Sequence, residues 1–241
     1  MSEEAATRAW QVVLEHIERR LIAGELVPGD RLPGERALSA ELGVGRSSVR
    51  EALRVLEVMG LIRTATGSGP SAGAIIVATP EGGMSALMRL QVAARGFPVR
   101  DIVRTRLIVE SAVAAELAHT GGDLAEARAL LDAMDAPDLD TADFLALDTA
   151  FHLALANAHG NQVLLATMAG LRSSIESYAH DGAGRLADWD ATAATLRAEH
   201  RAILDAIVAG DDAAAARTVR DHISGYYAAI SLDPGKDAAA W

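Results

Sequence analysis

Two short helical patterns separated by a tight break constrain the fold of the first third of the chain. The first pattern, PGERALSAEL, begins at Pro33 and is followed by Gly43. Proline at a helix start and glycine just past its end are common boundary signals. The second pattern, SSVREALRVLEVMG, places apolar side chains on one helical face, at Val49, Ala52, Leu53 and Leu56. Two short helices joined this closely predict a helix-turn-helix.

The segments on either side complete a larger unit. Before the pair, TRAWQVVLEHIERRLIAGEL carries apolar residues at helical spacing and ends at Gly24. After it, two β-rich segments, Leu61–Thr64 and Ala74–Ala78, flank a tip of glycine, serine and proline, which is the pattern of a hairpin. We therefore predict a winged helix-turn-helix of three helices and a β-hairpin wing over residues 8–78.

Helical patterns dominate residues 84–231. Turn signals at RGFP, TGGD, DAPDLD, AHGN, DGAG and AGDD divide this region into six or seven helices. Only 4% of the residues are aromatic, and alanine and leucine are abundant, which favours packing of helices on helices. Residues 79–83, TPEGG, are expected to form a linker, and residues 232–241 a flexible tail. The predicted fold class is mainly α, with an all-helical bundle after the winged unit.

The formal net charge of -11 is unevenly distributed. Residues 1–78 carry nine basic and ten acidic side chains, whereas residues 79–241 carry 13 and 23. The overall acidity therefore does not exclude nucleic-acid binding by the N-terminal unit. Cysteine is absent, which excludes disulfides and thiolate metal sites, and no apolar run reaches the ~18 residues of a membrane helix. With an acidic N-terminus unlike a signal peptide, these features predict a cytoplasmic protein.

Basic side chains lie on the second helix of the pair, opposite its apolar face. Arg46, Arg50 and Arg54 are spaced at i, i+4 and i+8, and Ser47 and Ser48 join Arg46 at the helix start. A recognition helix contacts base edges with its N-terminal residues, and arginine binds both guanine and phosphate. The same spacing is also that of a solvated helix face.

This stretch resembles the winged helix-turn-helix of the GntR family of bacterial transcription regulators. The similarity extends from about Val12 to Ala78 and includes G-x-L-x-P-G-D-R-L-P at residues 24–33, then LGV, VREALR-x-L and GLI. The resemblance implies binding to double-stranded operator DNA. It implies that the DNA contacts are made by Arg36, Arg46 and Arg50, with Ser47 and Ser48 assisting.

The stretch also contains a charged residue near the arginines, two glycines at helix starts and a wing of unusual sequence. Glu35 either supports one of these arginines or complements the helix dipole. Gly34 and Gly45 stand where the family has Ser or Thr caps, and glycine is a weaker cap. The wing sequence GSGPSAGAIIV differs from the usual G-x-G-T-F-V, so no minor-groove contact is assigned to Gly67 or Gly69.

Four side chains in the helical region are of types that bind metals. Asp148 and His152 are four residues apart and project from one helix face, while His200 and His222 lie among apolar positions of later helices. One carboxylate and three neutral imidazoles suit Zn²⁺, Ni²⁺ or Mn²⁺. On spacing alone, hydrogen-bonded or partly exposed side chains are the more usual explanation of helical histidines.

The helical region resembles the effector-binding, FCD-type domain of the FadR subgroup over about Val99–Tyr227. The shared patterns are R-x-x-x-E, D-x-x-F-H followed by A-H-G-N, E-H-x-x-I-x-x-A-I-x-x-G-D, and a final histidine. The resemblance implies a divalent metal at the floor of a cavity, bound by Asp148, His152, His200 and His222. It also implies that Arg106 holds a small organic acid near the metal; an ion pair with Glu110 is the alternative.

Three functions are compatible with these features. The first is a ligand-responsive homodimeric regulator, a repressor of a metabolic operon, that binds a pseudo-palindromic operator. The second is a metal-dependent hydrolase, which requires a general base beside the metal. Glu199 neighbours His200 but points about 100° away from it on a helix, and no nucleophile motif is present. The third is a direct metal sensor. We expect the regulator, and no enzymatic activity.

Overall fold

A computed structural model describes residues 3–65, 73–78, 80–137 and 139–230 of the protein. The chain divides into two compact units, Met1–Met84 and Ser85–Trp241. Each unit has its own hydrophobic core.

Residues 3–65 and 73–78 of the N-terminal unit form three helices and a two-stranded antiparallel sheet, as predicted. The apolar spacing of α1 and α3 brings Val13, Ile17 and Val49 into one core with Leu38. Complete burial of each such side chain stabilises the fold by about 1.5–3 kcal/mol, which holds three short helices together. The elements are α1 (Glu3–Ile22), α2 (Glu35–Leu42), α3 (Arg46–Val58), β1 (Ile62–Ala65) and β2 (Gly73–Ile76).

Glycines set the boundaries of the helix-turn-helix. Gly43 adopts the left-handed conformation with φ of 65°, which ends α2 at the residue predicted. Gly34 and Gly45 occupy the N-cap positions of α2 and α3 in extended conformation, without side-chain capping hydrogen bonds. The predicted helix-turn-helix is therefore confirmed with glycine caps, which satisfy fewer N–H groups than serine would.

The hairpin is anchored to the end of α3. Its register pairs Ile62 with Ile76. Glu57 accepts hydrogen bonds from the backbone N–H of Thr64 at 2.9 Å and from its hydroxyl at 2.5 Å. The wing tip, which includes Gly67 and Gly69, lies outside the described residues.

Eight further helices follow along residues 80–230. The longest, α5, packs most extensively against α11 and also contacts α7, α8 and α10. No helix of the described ranges has the length and hydropathy needed to cross a membrane. The helices are α4 (Pro80–Ala93), α5 (Val99–Thr120), α6 (Ala125–Met134), α7 (Thr141–His159), α8 (Gln162–Ser174), α9 (Glu176–Ala183), α10 (Trp189–Val208) and α11 (Asp212–Ala229).

The mainly α fold class is confirmed, and two details differ from the prediction. The structure has eight helices here instead of six or seven, because the segment after AHGN is broken at the buried Ile175. Ile175 has φ of -121° and no glycine or proline beside it, so tertiary packing sets this break. Residues 80–83, predicted as linker, form the first turn of α4, where Pro80 loses no helical hydrogen bond. The predicted tail, residues 232–241, lies outside the described residues.

Candidate metal centre and DNA-binding helix

Three helices bring the four predicted ligands together. Asp148 and His152 project from α7, His200 from α10 and His222 from α11. One ligand atom from each of the four residues lies within 4.8 Å of the others. Oδ1 of Asp148 is 2.9 Å from Nε2 of His200, 3.6 Å from Nε2 of His222 and 3.9 Å from Nε2 of His152. The sequence positions therefore converge on one point.

Apolar periodicity places these polar groups in the interior. His200 lies one turn from Leu196 and from Leu204 on the buried face of α10, and His222 is next to the buried Ile223 on α11. All three histidines are at most 4% exposed. Buried polar groups require partners, and the convergence of the four side chains places their ligand atoms within reach of one another.

Two carboxylates outside the cluster orient two of the rings. Nδ1 of His152 lies 2.9 Å from Oε2 of Glu110, and Nδ1 of His222 lies 2.9 Å from Oε2 of Glu199. Because Nδ1 of each ring donates its proton to a carboxylate, Nε2 of each ring keeps a lone pair that can bind a metal. Carboxylate partners of this kind fix the tautomer of metal-binding histidines and raise their basicity.

The residues present fit a divalent cation. Nε2 of His152 and Nε2 of His222 face each other at 3.2 Å, an arrangement that requires a proton or a cation between two lone pairs. Nε2 of the fully buried His200 makes no hydrogen bond, although Asp148 is close. Two nitrogens bound tetrahedrally to one Zn²⁺ at ~2.0–2.1 Å are about 3.3 Å apart, which matches this spacing.

The protonation states also suit ligation. Burial and the neighbouring Arg172 lower the pKa of His152 to about 3, and burial lowers the pKa of His200. Burial alone would raise the pKa of Asp148, but its contacts with the histidines and Arg172 hold it well below its usual range. Hydrogen bonds to Asp148 and Glu199 outweigh burial and raise the pKa of His222. At neutral pH these shifts favour neutral imidazoles at His152 and His200 and an ionised Asp148, whereas a protonated His222 must release its proton to bind a metal.

Two buried arginines lie beside the cluster. Nε of Arg106 donates to Oε1 of Glu110 at 2.7 Å, so the ion pair considered as an alternative role for Arg106 is present. Its Nη1 donates to the hydroxyl of Tyr227 at 2.7 Å. Arg172 donates to Oε2 of Glu110 at 2.7 Å and to Oδ2 of Asp148 at 3.0 Å. These arginines hold the pKa of Glu110 well below its ordinary value against the effect of burial.

A cavity of about 40 Å³ opens next to the cluster. Both arginines line it, as do Asp148, His222 and Tyr227. At ~10–15 Å³ for each water, this volume holds about three water molecules. The space adjoining the predicted ligands therefore fits a small polar molecule.

Sequence patterns did not reveal Arg172, nor the roles of Glu199 and Tyr227. Arg172 is four residues after Met168 and next to Leu171, both buried, so it falls on the apolar face of α8. A charged residue at such a position is a usable signal of a buried ion pair. Nothing in the sequence shows that Glu199 reaches His222 on another helix.

The predicted DNA contacts are mostly accessible. Arg36, Arg46, Ser47 and Arg50 are exposed on α2 and α3. Nη1 of Arg50 lies 3.5 Å from Oε2 of Glu35, so the ion pair that a supporting role of Glu35 requires is present, and the role itself stays a prediction.

Ser48 differs from the other predicted contacts. It is 8% exposed, because it lies on the buried face of α3, one turn before Ala52. Only a small part of the side chain is therefore accessible, and its contact with DNA stays a prediction.

Two family models match the chain. Residues 10–70 match the model for bacterial regulatory proteins of the gntR family, and residues 101–225 match the model for the FCD domain.

Named relatives match most of the chain. The putative L-lactate dehydrogenase operon regulatory protein of Escherichia coli (strain K12) is 30% identical over 226 residues, which is 93% of this chain and 84% of that protein. The HTH-type transcriptional regulator LutR of Bacillus subtilis (strain 168) is 31% identical over 85% of this chain and 96% of its own length. Among solved structures, a GntR protein of Streptococcus agalactiae has the same fold, with a TM-score of 0.56 and 24% identity over 91% of this chain and 98% of that one.

The fold and these matches define a DNA-binding transcription regulator, not an enzyme. More specifically, the chain belongs to the GntR family and carries an FCD domain after its winged helix-turn-helix.

Proposed function

We propose that this regulator senses a small carboxylate in a metal-containing cavity of its helical domain and represses a metabolic operon. We assign operator binding to residues 8–78 and metal and effector binding to residues 84–231. The observation that carries this proposal is the convergence of Asp148 and three histidines next to a cavity that two buried arginines line. A cation-binding cluster next to guanidinium groups favours an anionic ligand.

The local charges support an anionic effector. Without a metal, the buried Arg106 and Arg172 are balanced by Glu110 and Asp148. A divalent cation would add two positive charges, of which Glu199 compensates one. Glu176, at the rim, is exposed and screened by water. A carboxylate restores neutrality in the buried part of the site, and a bound metal supplies a Lewis-acidic position for one of its oxygens.

The size of the cavity supports a small effector. A volume of about 40 Å³, which is room for about three water molecules, favours a compact organic acid over a long acyl chain. One relative is named as a regulator of an L-lactate dehydrogenase operon and another as a transcriptional activator of the Glc operon. A third is named as the transcriptional repressor NanR. Hydroxy acids therefore belong in any set of effectors to be tested.

We propose that α3 lies in the major groove of a pseudo-palindromic operator, with one copy of α3 from each subunit of a homodimer. Arg46 and Arg50 then face base edges or phosphates from the first turns of the helix, and Arg36 reaches the backbone from α2. One winged helix contacts only a half-site, so two-fold DNA requires two copies.

The test is operator binding measured by fluorescence anisotropy, with DNA taken from the regulator's own upstream region. Metal-loaded protein is titrated with a series of two- to six-carbon carboxylates, and the same titrations are repeated after chelation. We expect at least one carboxylate to change operator affinity in the metal-loaded protein only. Full metal occupancy with no response to any carboxylate would overturn the proposed effector class.

A further inference from the structure

We propose that Glu110 is a positioning residue that couples metal binding to effector binding. It does so by linking the metal-binding His152 to both arginines of the cavity. This inference rests on the proposed function and adds the route by which the two ligands influence each other.

Glu110 is the common partner of three groups. Its Oε1 accepts from Nε of Arg106 at 2.7 Å. Its Oε2 is shared between Nη2 of Arg172 at 2.7 Å and Nδ1 of His152 at 2.9 Å. The side chain of Glu110 is 2% exposed, so water cannot replace any of these partners without local opening.

These contacts close a loop around the candidate metal position. His152 and Asp148 both present ligand atoms to that position. Arg172 donates to Oδ2 of Asp148 and to Oε2 of Glu110. Glu110 in turn contacts Nδ1 of His152. Arg106 is attached to the loop through Glu110.

The shared carboxylate makes the two binding events interdependent. An anion that approaches Arg106 or Arg172 weakens their hold on Glu110, so more of its negative charge polarises the Nδ1–H of His152. Nε2 of His152 then becomes a stronger donor. By reciprocity, a cation held at Nε2 draws the charge of Glu110 toward the imidazole and leaves the arginines freer to bind an anion.

Glu199 provides a matched comparison on the other side of the cluster. It orients His222 at the same 2.9 Å distance, and among the described contacts it has no arginine partner. Its side chain is 33% exposed. Glu199 therefore supports a metal ligand without connecting that ligand to the arginines that line the cavity.

The experiment measures the Zn²⁺ affinity of the full-length protein by chelator competition, with and without saturating acetate, the probe that carries only a carboxylate. In the parent, acetate should tighten Zn²⁺ binding by a factor on the order of 5–150. Glu110→Gln and Glu199→Gln should each weaken Zn²⁺ binding about 10–100-fold. In Glu110→Gln the acetate effect should be clearly smaller than in the parent, and what remains is carried by direct contact of acetate with the metal and by the contact of Arg172 with Asp148. In Glu199→Gln it should keep the parent value.

Three outcomes overturn the inference. One is an undiminished acetate effect in Glu110→Gln, and another is an equal loss in Glu199→Gln, which would make both carboxylates simple supports. If the parent itself binds Zn²⁺ without any acetate effect, the proposed carboxylate effector fails together with the inference. Should Glu110→Gln not fold, Glu110→Asp decides, because it keeps the negative charge but shortens the side chain by one methylene and so weakens the contact with Nδ1 of His152. Full coupling in folded Glu110→Asp contradicts the proposal.

Discussion

His222 and Glu199 lie on different helices and are joined by a contact of 2.9 Å between Nδ1 and Oε2. Glu199 directly precedes His200, so one turn of α10 supplies a ligand atom to the cluster and an acceptor for a ligand on α11. The angular offset of about 100° between neighbouring helical residues turns Glu199 away from His200 and toward α11. The same offset argues against a general base beside the metal.

His222→Ala should lose bound metal. Removing one of four ligands takes away a neutral imidazole and leaves Glu199 without its partner. We expect substoichiometric metal by elemental analysis of gently purified protein. His119→Ala removes an exposed histidine from α5 and should keep the metal content of the parent. Full occupancy in His222→Ala would exclude the four-residue site.

Chelation should destabilise the helical domain. The four ligands come from three helices, so the site exists only in the folded state and metal binding adds to the free energy of unfolding. At a free metal concentration of 100 Kd the stabilisation is about 2.7 kcal/mol. Thermal unfolding with and without EDTA measures it, and His200→Ala should make the melting temperature insensitive to EDTA. A parent protein that is equally insensitive would contradict metal binding.

Much of the fold could be predicted because its signals are local. Gly43 and the turn sequences mark helix boundaries, and the periodicity of Val13, Ile17 and Val49 marks the core. The break at Ile175 could not be predicted, because packing of a buried apolar side chain produces it without glycine or proline. The burial of Ser48 is of the same kind, since it depends on how α3 is rotated against its neighbours.

The cluster was accessible to sequence reasoning only in part. The i, i+4 spacing of Asp148 and His152 indicates a shared face, but the approach of α10 and α11 was implied by the family resemblance. The network formed by Glu110 and Arg172 depends on contacts between residues 62 positions apart. Helix periodicity carries no information on such a pairing.

Glu57→Ala should destabilise the winged unit in a pH-dependent manner. The hydrogen bonds from Thr64, first from its hydroxyl and then from its N–H, lower the pKa of Glu57 below its ordinary value. A lowered folded-state pKa means that the stabilisation is present above the unfolded value near 4.3 and is lost as pH falls through the folded value. For an exposed carboxylate we expect roughly 0.5–1 kcal/mol at neutral pH. Denaturant titrations of parent and variant should differ at pH 7 and converge in acid; a difference that grows in acid would contradict this assignment.

Arg46→Ala and Arg50→Ala should each weaken operator binding while leaving the protein folded. Both side chains are exposed on α3, so their removal creates no cavity. Loss of an arginine that contacts a base should cost about 1–3 kcal/mol of binding free energy and relax sequence preference at one position. Loss of a phosphate contact should instead weaken binding to all sequences alike. Arg128→Ala removes the same charge at an exposed position on α6, and this variant should bind the operator as tightly as the parent does. Unchanged affinity in both α3 variants would show that this helix does not read the operator.

The proposed dimer is tested by mass. Sedimentation at micromolar concentration, with and without a full operator, should give twice the chain mass of 25.2 kDa for the protein component. A half-site duplex serves as the control, because it should bind more weakly than the two-fold site. A protein that stays monomeric on the full operator would contradict the homodimer.

Arg106→Ala should separate effector binding from metal binding. Arg106 lines the cavity but touches none of the four ligands in the described contacts, and Arg172 remains to balance Glu110. We expect metal content near that of the parent and carboxylate affinity reduced about 10–100-fold, since a charge-assisted contact contributes roughly 1.5–3 kcal/mol. Calorimetric titration with acetate and lactate measures the affinity, with Arg104→Ala, exposed on the same helix, as the control. If Arg106→Ala binds carboxylates as tightly as the parent, Arg106 has only a structural role through its ion pair with Glu110. Arg172 would then be the arginine that contacts the effector.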